Sequence, residues 1–297
     1  MEKIKKNILL IKHGAFGDLI QSDGIFRTIK NNYPNSNLVL LTSSSYKNLM
    51  LLSPYIDKII IDDRFKLWNL RKIFQLIREI DSLHFSYVFD LQNSQRTFLY
   101  KILLNTPKWI TTKRKDHPIS GLQGLVDMLI DYGIPSSKIL HPNITWMAND
   151  VSLLLKKKKI LGEFIVLIPG SSKKHTDKRW PYYNELADTL LREGFNVVSI
   201  FGPDELGLEN TIPGYKFNNL DLMDVAGIIK KSIFVIGNDS GPSHIASCLR
   251  KPGIALFGPT TSGAKSELSR KPFQILESGS LKYLKVTKVC KLIKKSI

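Results

Sequence analysis

The sequence predicts an α/β protein made of two Rossmann-like domains, each on a parallel sheet, with a cleft between them. Three observations predict this. Short runs rich in Ile, Val, Leu and Phe recur along the chain, amphipathic helical stretches separate them, and the alternation occurs twice. Apolar runs of four to six residues suit strands buried on both faces. Their alternation with helices makes βαβ units.

In the first half the strands are Asn7–Ile11, Asn37–Thr42, Lys58–Ile61 and 87–91. In the second half they are Phe164–Ile168, Asn196–Phe201, 234–237 and 254–257. Residues 19–30 and 182–192 have helical periodicity. The stretch 141–161, with Pro142 and the basic run 156–159, follows one α/β set and precedes the other. It divides the chain into residues 1–150 and 151–297. At the end, Val286, Val289, Cys290, Ile293 and Ile297 fall on one helical face with lysines elsewhere. That face either packs on the protein or lies on an anionic membrane surface.

Composition narrows the function classes. With 297 residues the chain has room for two cores. It is 43% hydrophobic and 23% charged, the balance of a soluble globular protein. No apolar run approaches the ~20 residues that span a bilayer. The apolar run 8–11 is too short for a signal peptide and leads into Lys12 and His13, so the cytoplasm is the expected compartment. Cys248 and Cys290 stand alone, which indicates neither a disulfide framework nor a zinc site. The formal net charge of +17 leaves two readings open. One is a Lys-, Ile- and Asn-rich composition with solvated lysines. The other is an anionic partner, a membrane surface or phosphorylated substrate. Nucleic acid is the weakest option, because no recognisable nucleic-acid-binding module accompanies the charge.

Glycine-bearing turns follow the strands, where open α/β sheets bind ligands. The first is Lys12-His13-Gly14-Ala15-Phe16-Gly17-Asp18, which has a G-x-x-G spacing and not the dinucleotide fingerprint. Asp18 sits near a helix start. It is either an acid favoured by the helix dipole or a carboxylate able to take a proton. The second is Ile168-Pro169-Gly170-Ser171-Ser172, followed by Lys173, Lys174, Lys178, Arg179, Trp180 and Pro181. Small hydroxyls, exposed N–H groups and cations suit a diphosphate; a solvated basic loop is the alternative. The third is Gly237-Asn238-Asp239-Ser240-Gly241-Pro242-Ser243-His244. A helix start presenting the N–H groups of Ser240 and Gly241 is a ready anion site, and His244, one turn in, is open to a structural reading. Phe257-Gly258-Pro259-Thr260-Thr261 is a fourth such turn. Asp62-Asp63, the one adjacent acidic pair of the first half, reads as a surface turn and not as a metal site.

With these residues the sequence resembles the ADP-heptose:lipopolysaccharide heptosyltransferase family, inverting glycosyltransferases of the GT-B fold. The resemblance runs over nearly the whole chain. It is carried by Ile8 to Lys12 with Gly17-Asp18-Leu19-Ile20, by Phe89-Asp90-Leu91-Gln92-Asn93 with Arg96, and by Pro169-Gly170-Ser171-Ser172 ahead of Lys178-Arg179-Trp180-Pro181. Its most specific part is Asn238-Asp239-Ser240-Gly241-Pro242-Ser243-His244, followed by Phe257-Gly258-Pro259-Thr260. The resemblance implies that Asp18 is the general base and that Lys178 lies near the donor phosphates. Asp239, Ser240, Gly241 and His244 would hold the donor with Ser171 and Ser172, and the region of Leu220 would meet the adenine. Gly17, Arg96, Lys113 and Arg114, with Lys115, would lie on the acceptor side. Two departures stand out: the spelling His13-Gly14-Ala15-Phe16, and a short stretch 261–278 lacking the glycine- and aromatic-rich sequence often found there.

The expected function is inverting transfer of a sugar, heptose from ADP-heptose with another nucleotide sugar as the alternative, onto a lipopolysaccharide inner-core or related glycan acceptor, with no cofactor and no metal. The donor nucleotide-sugar and an anionic glycolipid would be its partners, at the cytoplasmic face of the inner membrane, without nucleic acid. Competing classes are a nucleotide-sugar epimerase of the same fold and a silent binding protein.

Overall fold

The computed structural model describes residues 6–106, 108–112, 121–205, 207–260 and 266–297. The chain divides into two compact units, Met1–Pro142 and Asn143–Ile297. The division falls inside the stretch 141–161, and residues 143–150 go with the second unit. Two close approaches explain this. A Cβ on Gly24 would lie 2.1 Å from the Leu140 carbonyl oxygen, so 140–142 is seated on the first unit. A Cβ on Gly227 would lie 2.4 Å from the Asn149 carbonyl oxygen, and Asn149 Nδ2 donates to Asp224 at 2.9 Å.

The first unit has strands β1 (Asn7–Ile11), β2 (Asn37–Thr42), β3 (Lys58–Ile61), β4 (Phe85–Asp90) and β5 (Trp109–Thr111) in the order β3-β2-β1-β4-β5. All pairings are parallel, with Leu9 opposite Val39 on one side and Val88 on the other. Its helices are α1 (Phe16–Gln21), α2 (Asp23–Asn32), α3 (Lys47–Met50), α4 (Leu70–Asp81), α5 (Gln95–Leu103) and α6 (Gly121–Asp131). The helix expected over 19–30 is therefore two helices. They join at Ser22, whose hydroxyl donates back to the Asp18 carbonyl at 2.7 Å. On one face of the sheet, Leu9, Ile11, Val39, Leu41 and Ile60 pack with Ile73, Leu76, Ile77 and Ile80 of α4 and Tyr100 of α5.

The second unit contains α7 (Ser152–Lys157), β6 (Phe164–Ile168), α8 (Tyr183–Arg192), β7 (Asn196–Phe201), β8 (Tyr215–Asn218), α9 (Leu222–Lys231), β9 (Phe234–Asn238), α10 (Gly241–Cys248), β10 (Gly253–Phe257), β11 (Phe273–Glu277) and α11 (Val286–Ser296). The sheet order is β11-β10-β9-β6-β7-β8, again all parallel. In each unit the first strand lies between its second and fourth. Strand order therefore reverses at β1/β4 and at β6/β9, the switch points where such sheets receive ligands. Val286, Val289, Cys290 and Ile293 of α11 are buried in one cluster with Trp180, Tyr183, Leu186 and Leu190. That settles the terminal helix: its apolar face packs on the protein, with only Ile297 exposed.

Candidate active site

The turn after β1 is anchored through the backbone. His13 N–H donates to Gln92 Oε1 at 3.1 Å, and Ser43 Oγ donates to the His13 carbonyl at 3.1 Å. Lys12 is buried with its ammonium 3.3 Å from the Leu91 carbonyl. Burial pulls its pKa down, opposed by the nearby charges of Asp18 and Asp90. Asp90, also buried, is pushed up by desolvation against hydrogen bonds from Thr97, Asn93 N–H and Gln92 N–H. Gly14 is held at φ +128°, where a Cβ would also strike the Tyr46 ring at 2.7 Å, so the turn needs glycine there. Gly17 and Asp18 lie in the first turn of α1. The Asp18 side chain is exposed and borders a small hollow with Lys12, Gln21, Ser22 and Leu125.

Asp62 is not the surface turn its sequence context suggests. It is fully buried and gathers donors from three side chains. His13 Nε2 lies 2.7 Å from Oδ2, Arg96 donates from Nε at 2.8 Å and Nη2 at 2.7 Å, and Tyr100 Oη donates at 2.6 Å. Burial alone would raise its pKa, but hydrogen bonds from His13, Arg96 and Tyr100 outweigh that and hold the carboxyl well below the usual range. Tyr100 moves far up, through burial and then its bond to this carboxylate. Asp63 alone is at the surface, accepting from Ser44 N–H at 2.7 Å. Arg96, expected on the acceptor side, also donates from Nη1 to the Phe65 carbonyl at 2.6 Å, so here it braces the loop after β3. Lys113, Arg114 and Lys115 lie outside the described residues.

In the second unit, buried Asn238 ties the turns together. Its amide donates to the Pro169 carbonyl at 2.7 Å and the Gly170 carbonyl at 3.2 Å. Its carbonyl accepts from Trp180 N–H and Tyr183 Oη, both at 3.2 Å. The run Lys178-Arg179-Trp180 thus divides its work. Trp180 is core, with its indole N–H on the Leu284 carbonyl at 2.9 Å. Arg179 holds Ser171 through its carbonyl at 2.8 Å and hydroxyl at 3.2 Å. Lys178 reaches Asp239 Oδ2 at 2.7 Å.

The Ser171 hydroxyl, expected on the diphosphate, instead donates to the His175 carbonyl at 2.7 Å. It holds the loop, because its single proton is committed. Ser172 is exposed at the same strand end. Ser240 begins α10 without a side-chain cap, so its N–H and that of Gly241 lie at a helix start with Pro242 next. His244 is part-buried one turn on, its N–H 3.3 Å from the Ser240 carbonyl. Leu220, part-buried, precedes α9 beyond the carboxyl end of β8. Sequence reasoning passed over Glu205, whose carboxylate lies against Gly170 and accepts from Gly202 N–H at 2.8 Å. A carboxylate there suits hydroxyl donors and not phosphate. Among the described residues no group of three or more His, Cys, Asp or Glu is placed to hold a metal.

The family model for glycosyltransferase family 9 (heptosyltransferase) matches residues 141–294, more than half of the chain. The chain is a family 9 glycosyltransferase. Lipooligosaccharide heptosyltransferase 2 of Haemophilus influenzae is 26% identical over 306 residues, covering 89% of this chain and 87% of the relative. Among solved structures, the family 9 glycosyl transferase of Veillonella parvula superposes with a TM-score of 0.83 at 18% identity, covering 99% and 98% of the two chains. The ADP-heptose lipopolysaccharide heptosyltransferase II of E. coli gives 0.77 at 20%, covering 97% and 98%. These likenesses show the fold as GT-B. Family membership makes this transferase an enzyme that moves a sugar, which separates it from the epimerase and silent-binder alternatives.

Proposed function

We propose that the transferase moves heptose from ADP-heptose to a hydroxyl of a lipopolysaccharide inner-core acceptor, with inversion and without a metal. The observation that carries this reading is the Lys178–Asp239 ion pair beside the uncapped start of α10. A diphosphate carries more charge than Asp239 and would draw Lys178 to itself, with the Ser240 and Gly241 N–H groups adding fixed dipoles. Asp18 would accept the proton of the attacking hydroxyl. It is the exposed carboxylate at the first unit's switch point, and it borders one hollow with the buried Lys12. Leaving-group charge falls to Lys178 and the helix start, so no covalent intermediate is needed.

Acceptors of this kind are phosphorylated, acidic and lipid-anchored, which fits a chain of net charge +17 working at the cytoplasmic face of the inner membrane. No described helix is long and apolar enough to cross a membrane. The test is a donor screen that follows nucleotide release from ADP-heptose and other nucleotide sugars, with and without a lipid A–Kdo acceptor. Acceptor-dependent release from ADP-heptose alone is expected. Faster turnover of a different nucleotide sugar would overturn the donor assignment.

A further inference from the structure

The outer surface of the first unit carries large apolar side chains in a basic setting that the transfer chemistry does not use. After β3 the chain runs Arg64-Phe65-Lys66-Leu67-Trp68-Asn69 into α4. Trp68 is 76% exposed, and Leu67, Leu70 and Phe74 are exposed with it. Leu70 and Phe74 are four residues apart on the outer side of α4, while Ile73, Leu76, Ile77 and Ile80 are buried against the sheet. The helix is therefore apolar on two faces, unlike an ordinary surface helix. On α5, Thr97 and Tyr100 are buried, while Phe98 and Ile102, again four apart, are 62% and 65% exposed.

The two helices meet at Phe65. Its ring lies 4.7 Å from the Arg96 guanidinium of α5 and 5.9 Å from the Lys72 ammonium of α4. α4 and α5 also pack in one cluster on the same face of the sheet, so their exposed apolar side chains lie on one side of the first unit.

We propose that this face docks on an anionic lipid bilayer. Trp68, Leu70, Phe74 and Phe98 would enter the interfacial layer while Arg64, Lys66, Arg71 and Lys72 meet lipid phosphates. Charge selects the occupant: from Arg64 to Arg78 there are five basic residues and no acidic one. The Lys66 ammonium sits over the Trp68 ring at 4.8 Å, which places a cation beside the side chain best suited to the membrane interface. A second copy related by a two-fold axis would set this cationic face against itself. Position adds purpose. α4 and α5 start beyond the carboxyl ends of β3 and β4, the edge that also carries Asp18 beyond β1. Docking there brings the proton acceptor near the surface that retains a lipid-linked acceptor. That last point rests on the reading of the acceptor above; the docking itself does not.

The experiment is flotation of the full chain with vesicles of phosphatidylethanolamine and phosphatidylglycerol, and with neutral phosphatidylcholine vesicles. Trp68→Ala, Leu70→Ser and Phe74→Ser combined should lower partitioning into the anionic vesicles at least ~10-fold. Neutral vesicles should bind little, and salt should release the wild type. Brominated lipids should quench the wild type more than Trp68→Phe, a conservative variant that decides the matter should the triple variant fold poorly. Turnover of a deacylated, water-soluble acceptor should be unchanged in the triple variant, with the KM for vesicle-borne acceptor raised. Equal partitioning of wild type and triple variant, with no Trp68-dependent quenching, would overturn the proposal. So would a wild-type dimer that the triple variant abolishes, since the face would then be an interface between copies. Vesicle binding by the wild type that the triple variant loses, with no transfer by any form, would leave the docking intact and overturn the transfer reading instead.

Discussion

Asp62 sits among the His13 ring, the Arg96 guanidinium and the Tyr100 hydroxyl, with no access to water. Asp62→Asn strips the compensating charge from Arg96, and breaking a buried pair in this way costs about 3–5 kcal/mol. Urea unfolding of the variant should show that loss. The pH dependence has a definite sign. A carboxyl held below its unfolded value contributes stability above that value, about 3.9, and loses it as pH falls toward the folded value. Wild-type melting should thus be insensitive to Asp62 at neutral pH and drop below about pH 4, with a shallower drop in the variant. At the proposed reacting centre, Asp18→Asn should keep donor affinity and lower turnover by roughly 10²–10⁴-fold, because on this reading it removes only the proton acceptor. Isothermal titration with ADP beside steady-state kinetics separates the two quantities. Lys178→Ala should weaken donor and transition state together, by about 1.5–3 kcal/mol in kcat/KM, through a lost charge-assisted contact. Unchanged donor affinity there would remove the loop after Gly170 from diphosphate binding.

Elements differ in how much of themselves they show in sequence. The strands Asn7–Ile11, Asn37–Thr42, Phe164–Ile168 and Asn196–Phe201 are legible to the residue, because burial on both faces selects unbroken apolar runs, and Lys58–Ile61, an outer strand, is legible from its three consecutive isoleucines. β5, β8 and β11 are not, since each is an outer strand with part-exposed, mixed side chains. In the candidate site, the strand-end turns that carry Asp18, Lys178 and Ser240 are legible, because glycine and polar residues follow an apolar run there. The site is illegible where the partner is distant in the chain. Asp62 lies 49 residues from His13 and 34 from Arg96, so its adjacency to Asp63 suggests a surface turn. Likewise nothing local shows that Ser171 donates to His175, or that Glu205 lies on Gly170. The terminal helix illustrates the same limit, since its amphipathic pattern suits a bilayer as well as a core. With Ile293 buried against α8, Ile293→Ala should destabilise the second unit by about 2–5 kcal/mol in urea unfolding and leave vesicle partitioning unchanged.

At the scale of the molecule, two units of one topology present different chemistry at corresponding switch points. The first offers an exposed carboxylate, and the second offers a cation and a helix start. On the proposed mechanism the chain itself supplies base and leaving-group stabiliser, and a chelator should leave turnover intact. The most direct measurement of the central claim is mass spectrometry of a lipid A–Kdo acceptor incubated with ADP-heptose, EDTA and either wild type or Asp18→Asn, with the new linkage examined by NMR. The account predicts an acceptor heavier by one heptose, with anomeric configuration opposite to the donor's, formed by wild type and nearly absent with Asp18→Asn. ADP release without a heavier acceptor, or equal product from both proteins, would contradict it.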